Sequence, residues 1–181
     1  MAFLEIITRA YKRPVMLDRN RESLRQQTDN DWKQTILRDD DGIGVSMANA
    51  QLAHIGGMLT GDYIWILDDD DLCIQDSFVS ELKRIVSDRN PDVIMVKMDH
   101  DTRGILPDLA TWGIRPKIAK VGVSSFVIRR DVWKQNSHAW LTACYSSDYD
   151  FISAVFDSGV SVFWYDVIAS QVQQISLGAT E

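Results

Sequence analysis

The sequence predicts an α/β fold: a single domain with a mostly parallel central sheet flanked by helices. Short apolar segments rich in β-branched and aromatic residues alternate with amphipathic segments through the first hundred residues. Strands that alternate with helices in this way usually form a parallel sheet, because each helix carries the chain back across it. The length of 181 residues and an apolar content of 45% are sufficient for one domain with a sizeable core.

The first half of the chain carries the clearest periodicity. Strands are predicted at 3–8, 32–37, 63–67 and 92–98. Pro14 suits the first turn of a helix that runs to about Gln27, a second helix is predicted over 44–59, and Phe78, Leu82 and Ile85 mark a third.

The second half, about 99–170, is less regular. Segment 99–121 contains glycines and prolines but few strand or helix signals, and a loop of this length is usually functional. Further strands are predicted at 124–128 and 160–165, with a short helix from 129 and another over 147–156. The tail from Ala169 receives no assignment.

The composition of the chain limits the binding partners and the cellular compartment that we expect. The net charge of −7 offers no basic surplus to neutralise phosphates, so nucleic acid is not expected as a partner. Cys73 and Cys144 lack metal or redox spacing and are interpreted as reduced thiols of a cytoplasmic protein. No segment has the length of a membrane-spanning helix or the pattern of a signal peptide. Oligomeric state stays open.

Four consecutive acids at 68–71 directly follow the predicted strand 63–67. Ligands in open α/β sheets bind beyond the carboxyl ends of the strands. Adjacent carboxylates there need a compensating charge, for which a hard divalent cation such as Mg²⁺ or Mn²⁺ is suited. The alternative is a solvated acidic turn in which Asp71, Asp76 or Ser77 caps the next helix.

A second acidic strand end, at 39–41, follows the preceding strand. In a parallel sheet both acid clusters emerge at the same edge, together with the first loop and its Arg9 and Tyr11. One crevice then holds acids, an aromatic ring and cations, which suits a nucleotide bound through a metal. Considered alone, Tyr11 is better interpreted as a packing residue and Arg9 as a solvated side chain.

These motifs in this order resemble the family 2-like glycosyltransferases with the GT-A fold, a Rossmann-like fold that binds nucleotide-diphospho-sugars. The resemblance spans about 3–165. Its segments are Ile6-Ile7-Thr8-Arg9-Ala10-Tyr11-Lys12-Arg13, Ser23-Leu24-Arg25-Gln26-Gln27-Thr28, Asp39-Asp40-Asp41-Gly42, Ala48-Asn49, the stretch from Leu59 to Asp71, Gly122 to Arg130, and Ser147-Asp148-Tyr149-Asp150.

The resemblance implies that the half of about 1–98 binds the nucleotide and that the half of about 99–170 forms the acceptor side. In the first half, it implies that Thr8, Arg9 and Tyr11 contact the nucleoside. Asp39 or Asp40 lies where an acid recognises the base. A UDP-sugar is the donor that it favours.

The resemblance also implies roles for the second acid run. Asp68 and Asp70 are the two acids of a DxD motif that holds Mn²⁺ or Mg²⁺, and Asp69 between them belongs to the donor-binding residues. Asp148 lies at the position of the general base, with Asp150 as the alternative.

The implied activity is metal-dependent and inverting transfer of a hexosyl group from a nucleotide-diphosphate sugar to a carbohydrate or other hydroxyl acceptor. Two departures from the family pattern stand out, since Ser147 replaces a usual Glu and Ala48 a frequent Arg. A nucleotidyltransferase-like enzyme and an inactive fold that only binds ligands are the alternatives. Asp99 to Asp101 and Trp112 are further candidates for the sugar pockets.

Overall fold

The computed structural model describes residues 2–173, which form eight strands and five α-helices. The strands are β1 (Leu4–Tyr11), β2 (Trp32–Asp39), β3 (Tyr63–Ile66), β4 (Asp71–Cys73), β5 (Val93–His100), β6 (Gly104–Leu106), β7 (Phe126–Arg129) and β8 (Val162–Val172). The helices are α1 (Pro14–Arg25), α2 (Gly44–His54), α3 (Phe78–Arg89), α4 (Arg130–Asn136) and α5 (Ser147–Asp157), with 3₁₀ turns at Ile55–Gly57, Val123–Ser125 and Ser137–Trp140.

All eight strands belong to one mixed sheet, which corrects the prediction of a mostly parallel one. The strand order is β2-β1-β3-β7-β5-β8-β4, with β6 paired to β5. The pairs β1–β2, β1–β3 and β5–β8 are parallel, whereas β3–β7, β5–β7, β5–β6 and β4–β8 are antiparallel.

The error has a topological cause. The helix-connected strands β1, β2 and β3 are parallel, as the alternation predicted. Strand β7 then enters antiparallel between β3 and β5, and it arrives from the irregular segment that follows β6 rather than from a crossover helix. Hydrophobic periodicity identifies a strand but does not fix its neighbours, so this insertion left no signal in the sequence.

Strand β3 lies in the middle of the core and is buried on both faces. Tyr63, Trp65 and Leu67 pack on one side of the sheet with Leu24 of α1 and Phe78 of α3. Ile64 and Ile66 face the other side, where Trp133, Trp140 and Phe151 belong to the same hydrophobic cluster. Side chains alternate across a strand, so a continuous apolar run here means that helices cover both faces.

Two helices each bury a polar residue. Val15 of α1 and Met47 of α2 are 46% and 56% exposed, whereas α1 buries Asn20 with its apolar residues and α2 buries Asn49. Buried amides need hydrogen-bond partners, and both have them at the candidate site.

The second half contains more structure than the sequence indicated. Segment 99–121, expected to be a loop, includes β6, and β8 runs from Val162 to Val172, past the predicted end at 165. The rest of the unassigned tail, from 174, lies outside the described residues. None of the helices within 2–173 has the length and apolar character needed to cross a membrane.

Candidate functional site

The first three strands carry their polar ends to one edge of the sheet. Because β2 and β3 both run parallel to β1, Arg9, Asp39 and Asp68 emerge on the same side. The predicted meeting of the two acid clusters with the first loop is therefore present. The four acids do not share one loop, however, because Asp71 begins β4 and pairs with Val172 of β8.

Asp68 is held by Arg9 in a two-point ion pair. Arg9 donates from Nε and Nη2 to the two carboxylate oxygens at 2.8 and 2.5 Å. Burial alone would lower the pKa of Arg9, but the charges of Asp68, Asp70 and Asp148 raise it. Arg9 is thus a fixed cation beside three carboxylates.

Arg13 neutralises the next two acids. Its guanidinium pairs with Asp69 and donates to Asp70 at 2.6 Å, while the backbone N–H of Tyr11 donates to Asp69 at 3.0 Å. The Asp69 carboxylate is fully buried. Burial raises the pKa of Asp69 to about 6, and the charge of Arg13 and the N–H of Tyr11 oppose this shift. Asp69 fixes the first loop and does not face the cleft.

Buried amides hold the backbone of the acidic turn. Asn20 Nδ2 donates to the carbonyl oxygens of Asp68 and Asp71 at 3.0 and 2.8 Å, and Gln173 Nε2 donates to that of Asp69 at 3.0 Å. Burial and the neighbouring charges of Asp68 and Asp70 raise the pKa of Asp71 well above its usual range. These contacts leave Asp68 and Asp70 as the acids of the turn that are partly exposed.

Asp148 lies in the first turn of α5 and faces the same cavity as Asp68 and Asp70. Burial raises the pKa of Asp148; the N–H of Tyr149 and the positive charges of Arg9 and Arg103 oppose this shift. A carboxylate with a raised pKa, inside a cleft, is a suitable general base. Asp150 lies outside the residues that line the two cavities described next.

Two neighbouring cavities, together called the cleft, lie at this edge. The larger, of about 650 Å³, contains Asp68, Asp70 and Asp148, and the smaller, of about 420 Å³, lies beside Tyr11 and Asp39. Residues shared by both are Arg9, Val45, Asp68 and Tyr145. Each of the two volumes lies in the range of a typical ligand pocket.

The predicted nucleoside-binding residues differ in whether they reach the smaller cavity. Tyr11 is 46% exposed and lines the smaller cavity. Thr8 is fully buried, and its hydroxyl accepts a hydrogen bond from Gln34 at 2.8 Å. Asp39 also lines the smaller cavity, but its Oδ1 accepts from the N–H groups of Gly42 and Ile43 at 2.6 and 3.1 Å, so it shapes the following loop. Asp40 is exposed and lines neither cavity.

The donor set fits a metal only in part. No group of three or more His, Cys, Asp or Glu side chains within 2–173 is arranged to hold an ion. Asp68 and Asp70 nevertheless line one cavity, and Mg²⁺ is commonly bound by one or two carboxylates together with phosphate oxygens and water. A divalent ion would therefore depend on the diphosphate of a donor to complete its ligands.

Sequence reasoning missed four residues that the structure brings to the cleft. Arg13 pairs with the acids, Tyr145 is 91% exposed between the two cavities, and Arg103 lies near Asp148. Asn49, 1% exposed, donates to the carbonyl oxygens of Thr142 and Cys144 and accepts from Ser147 Oγ. A polar residue at a core position of α2 was the available signal for Asn49.

Other candidates are placed differently. His100 lines the larger cavity. Trp112 packs edge-on against Trp164 at 4.9 Å under Lys97, whose Nζ lies 4.6 Å from the ring centroid. Trp112 is therefore a packing residue.

The fold is similar to that of solved structures of Staphylococcus aureus TarS. No protein-family model matches the sequence, and no curated protein matches it significantly. Among solved structures, Staphylococcus aureus TarS 1-349 in complex with UDP aligns with a TM-score of 0.69 at 11% identity over 96% of this chain. The same fragment in complex with UDP-GlcNAc gives a TM-score of 0.66 at 13% identity.

The similarity covers only part of the length of the TarS structures, and it is a similarity of fold. This chain spans 61% of the UDP-bound TarS fragment and 37% of a longer TarS structure. A further match, A197 from STIV, has a TM-score of 0.56 at 16% identity, over 92% of this chain and 82% of that one.

Proposed function

We propose that this protein is a metal-dependent, inverting glycosyltransferase that moves a hexosyl group from a nucleotide-diphosphate sugar, with UDP-sugars favoured, to a hydroxyl acceptor. The main support is the cleft in which Asp68 and Asp70, at the end of the central strand, share a cavity with Arg9 and Asp148. TarS, whose fold is similar, has been crystallised with UDP and UDP-GlcNAc.

In this proposal the two halves of the chain have separate tasks. Residues of about 1–98 bind the donor: the smaller cavity, beside Tyr11 and Asp39, takes the nucleoside. Residues of about 99–170 present the acceptor. Cys73 and Cys144 are both free thiols, which is consistent with the cytoplasmic setting that we propose.

The reaction is a single displacement. Asp148 removes the proton of the acceptor hydroxyl while its oxygen attacks the anomeric carbon and the bond to the diphosphate breaks. General-base assistance of this kind contributes about 10²–10⁴-fold. Arg9 and Arg13, beside the acids, stabilise the departing diphosphate. A bound Mn²⁺ or Mg²⁺ at Asp68 and Asp70 would add positive charge at the same leaving group.

A nucleotide panel tests donor binding. UDP, GDP, CDP and dTDP are each added with and without Mn²⁺, and thermal unfolding is followed. A ligand at a hundred times its dissociation constant should add about 2.7 kcal/mol, or about 5–10 °C for a chain of this size. The shift should require Mn²⁺ and disappear in Asp70→Ala, but persist in the control Asp18→Ala on the solvent face of α1. No shift with any nucleotide would contradict the proposal.

The base is tested by release of UDP from UDP-sugars, with water as the default acceptor. Asp148→Asn should keep UDP affinity and lose at least about 100-fold in rate, while the matched variant Asp150→Asn should stay active. Because the base acts ionised and burial raises the pKa of Asp148, the wild-type rate should fall with decreasing pH at a value above 3.8. Nucleotide binding without turnover in the wild type would instead indicate an inactive, ligand-binding fold.

A further inference from the structure

A third cavity of about 750 Å³ adjoins the candidate active site on the acceptor side. It lies beside the hairpin of β5 and β6, and its wall includes Ile105, Pro107, Leu109, Ala110 and Ile168. The size and the apolar lining are those of a small-molecule site. Leu109 at its rim is 89% exposed.

Arg103 connects this third cavity to the active-site cavity. It stands in the turn between β5 and β6, where its N–H donates to the carbonyl oxygen of His100 at 2.9 Å, and its side chain lines both spaces. The charge of Arg103 also acts on Asp148. A molecule whose hydroxyl reaches Asp148 therefore meets Arg103 before it enters the third cavity.

The other charges around the third cavity are already paired. Lys97 forms an ion pair with Asp166 and lies over the ring of Trp112. Asp108 accepts from Lys120 at 2.8 Å and from the hydroxyl of Thr111 at 2.8 Å. These pairs do not involve Arg103, which is the cation that the wall of the third cavity presents to a ligand.

The cavity wall is preformed. The bonds from Asp108 to Thr111 and to Lys120 tie the two ends of the segment that carries Leu109 and Ala110. Backbone bonds from Thr111 and Trp112 to the Asp108 carbonyl oxygen, at 3.0 and 2.8 Å, close the turn. Little ordering is therefore needed when a ligand binds.

We propose that the third cavity is the acceptor subsite for an anionic amphiphile. The acceptor places a phosphate or carboxylate against Arg103 and an apolar group along Ile105, Leu109 and Ala110. The acceptor role rests on the proposed function, whereas the binding site itself does not. Guanidinium groups recognise such anions through charge-assisted hydrogen bonds.

The test uses monomeric octyl phosphate as the probe, titrated calorimetrically into the whole protein. Arg103→Gln should weaken its binding about 10- to 100-fold, the range of a charge-assisted hydrogen bond. Ala110→Trp, which fills the cavity, should weaken it at least about tenfold, and Ala110→Ser should not. Arg89→Gln, an exposed arginine at the end of α3, controls for net charge.

Titrations with three other probes define the results that would overturn the proposal. Equal affinity for inorganic phosphate or for neutral octyl glucoside would overturn it, because one lacks the apolar group and the other the charge. Binding to anionic lipid vesicles without binding to monomeric octyl phosphate would also overturn it, in favour of a membrane surface.

A parallel titration with UDP and Mn²⁺ separates this inference from the proposed function. Normal UDP binding without octyl phosphate binding overturns the subsite and leaves the donor site intact. Octyl phosphate binding without UDP binding supports the subsite and removes the glycosyltransferase proposal. Ala110→Trp, at a position that lines neither cavity of the cleft, should leave UDP affinity within about twofold; a larger loss would overturn the separate subsite.

Discussion

Replacing Arg9 with Gln should strengthen Mn²⁺ binding to the nucleotide-free protein. Arg9 occupies both carboxylate oxygens of Asp68, at 2.8 and 2.5 Å. A cation that ligates Asp68 directly must first displace the guanidinium. The substitution removes this competitor and one positive charge, and both changes favour a divalent ion.

The magnitude follows from the two hydrogen bonds. A hydrogen bond to a charged group contributes about 1.5–3 kcal/mol, and each 1.4 kcal/mol corresponds to a factor of ten in affinity. The Arg9 side chain is 26% exposed and that of Asp68 17%, so water screens the pair only in part. We therefore expect Mn²⁺ affinity to rise about 10- to 100-fold.

The assay is calorimetric titration of MnCl₂ into the wild type, Arg9→Gln and the control Arg89→Gln, each without nucleotide. The same Arg9→Gln variant should bind UDP more weakly, because Arg9 lines both cavities of the cleft. Opposite changes for metal and nucleotide cannot arise from general loss of folded protein. Unchanged Mn²⁺ affinity, or a parallel loss of both ligands, would refute the argument.

Three further substitution experiments follow from other contacts. Asn49→Ala removes the buried amide that ties α2 to the residues before Asp148. It should lower the free energy of unfolding by about 1–3 kcal/mol and also lower the transfer rate, but it should leave UDP affinity unchanged. Thermal unfolding and rate measurements check this, and an equal loss of UDP affinity would contradict it. Glu5 is 1% exposed; burial would raise its pKa, but the N–H groups of Gly61 and Thr60 with Lys33 and Thr35 hold the pKa below 4.5. Glu5→Gln should therefore cost about 1–3 kcal/mol above pH 4.5, and the difference from wild type should vanish as the pH falls through the lowered pKa, which denaturant unfolding at several pH values measures. Finally, Cys144 is exposed, whereas burial raises the pKa of Cys73 to about 11. A thiol reagent should therefore modify Cys144 quickly. Cys144→Ala should remove this fast phase of the reaction, and Cys73→Ala should not.

The sequence predicted those parts of the fold that local physics controls. The run at 63–67 is apolar on both faces because helices cover both sides of β3, and the helix-linked strands β1 to β3 are parallel. The antiparallel entry of β7 depends on long-range packing, which local periodicity does not report. Thus the edge of the sheet that bears the acids was predictable, whereas the full strand order was not.

The acid run shows the same limit at the level of single residues. Four adjacent aspartates look equivalent in sequence, but the fold gives each a different environment. Asp69 is buried on Arg13, Asp71 enters β4, and Asp68 and Asp70 stay partly exposed in the cleft. The exposure of the first and third acids follows from a turn that buries the second, so the DxD spacing has a structural basis here.

That turn also explains why the compensating charge was predicted incompletely. Four adjacent carboxylates require a compensating positive charge, and a metal ion was expected to provide it. The protein itself supplies Arg9 from β1 and Arg13 from the residues between β1 and α1, 59 and 57 residues away from their partners in sequence. Since these arginines already balance much of the acidic charge, a divalent ion gains most when a diphosphate adds negative charge and ligand oxygens to the cleft. Metal and nucleotide should therefore bind together, which is the behaviour that Arg9→Gln is designed to uncouple.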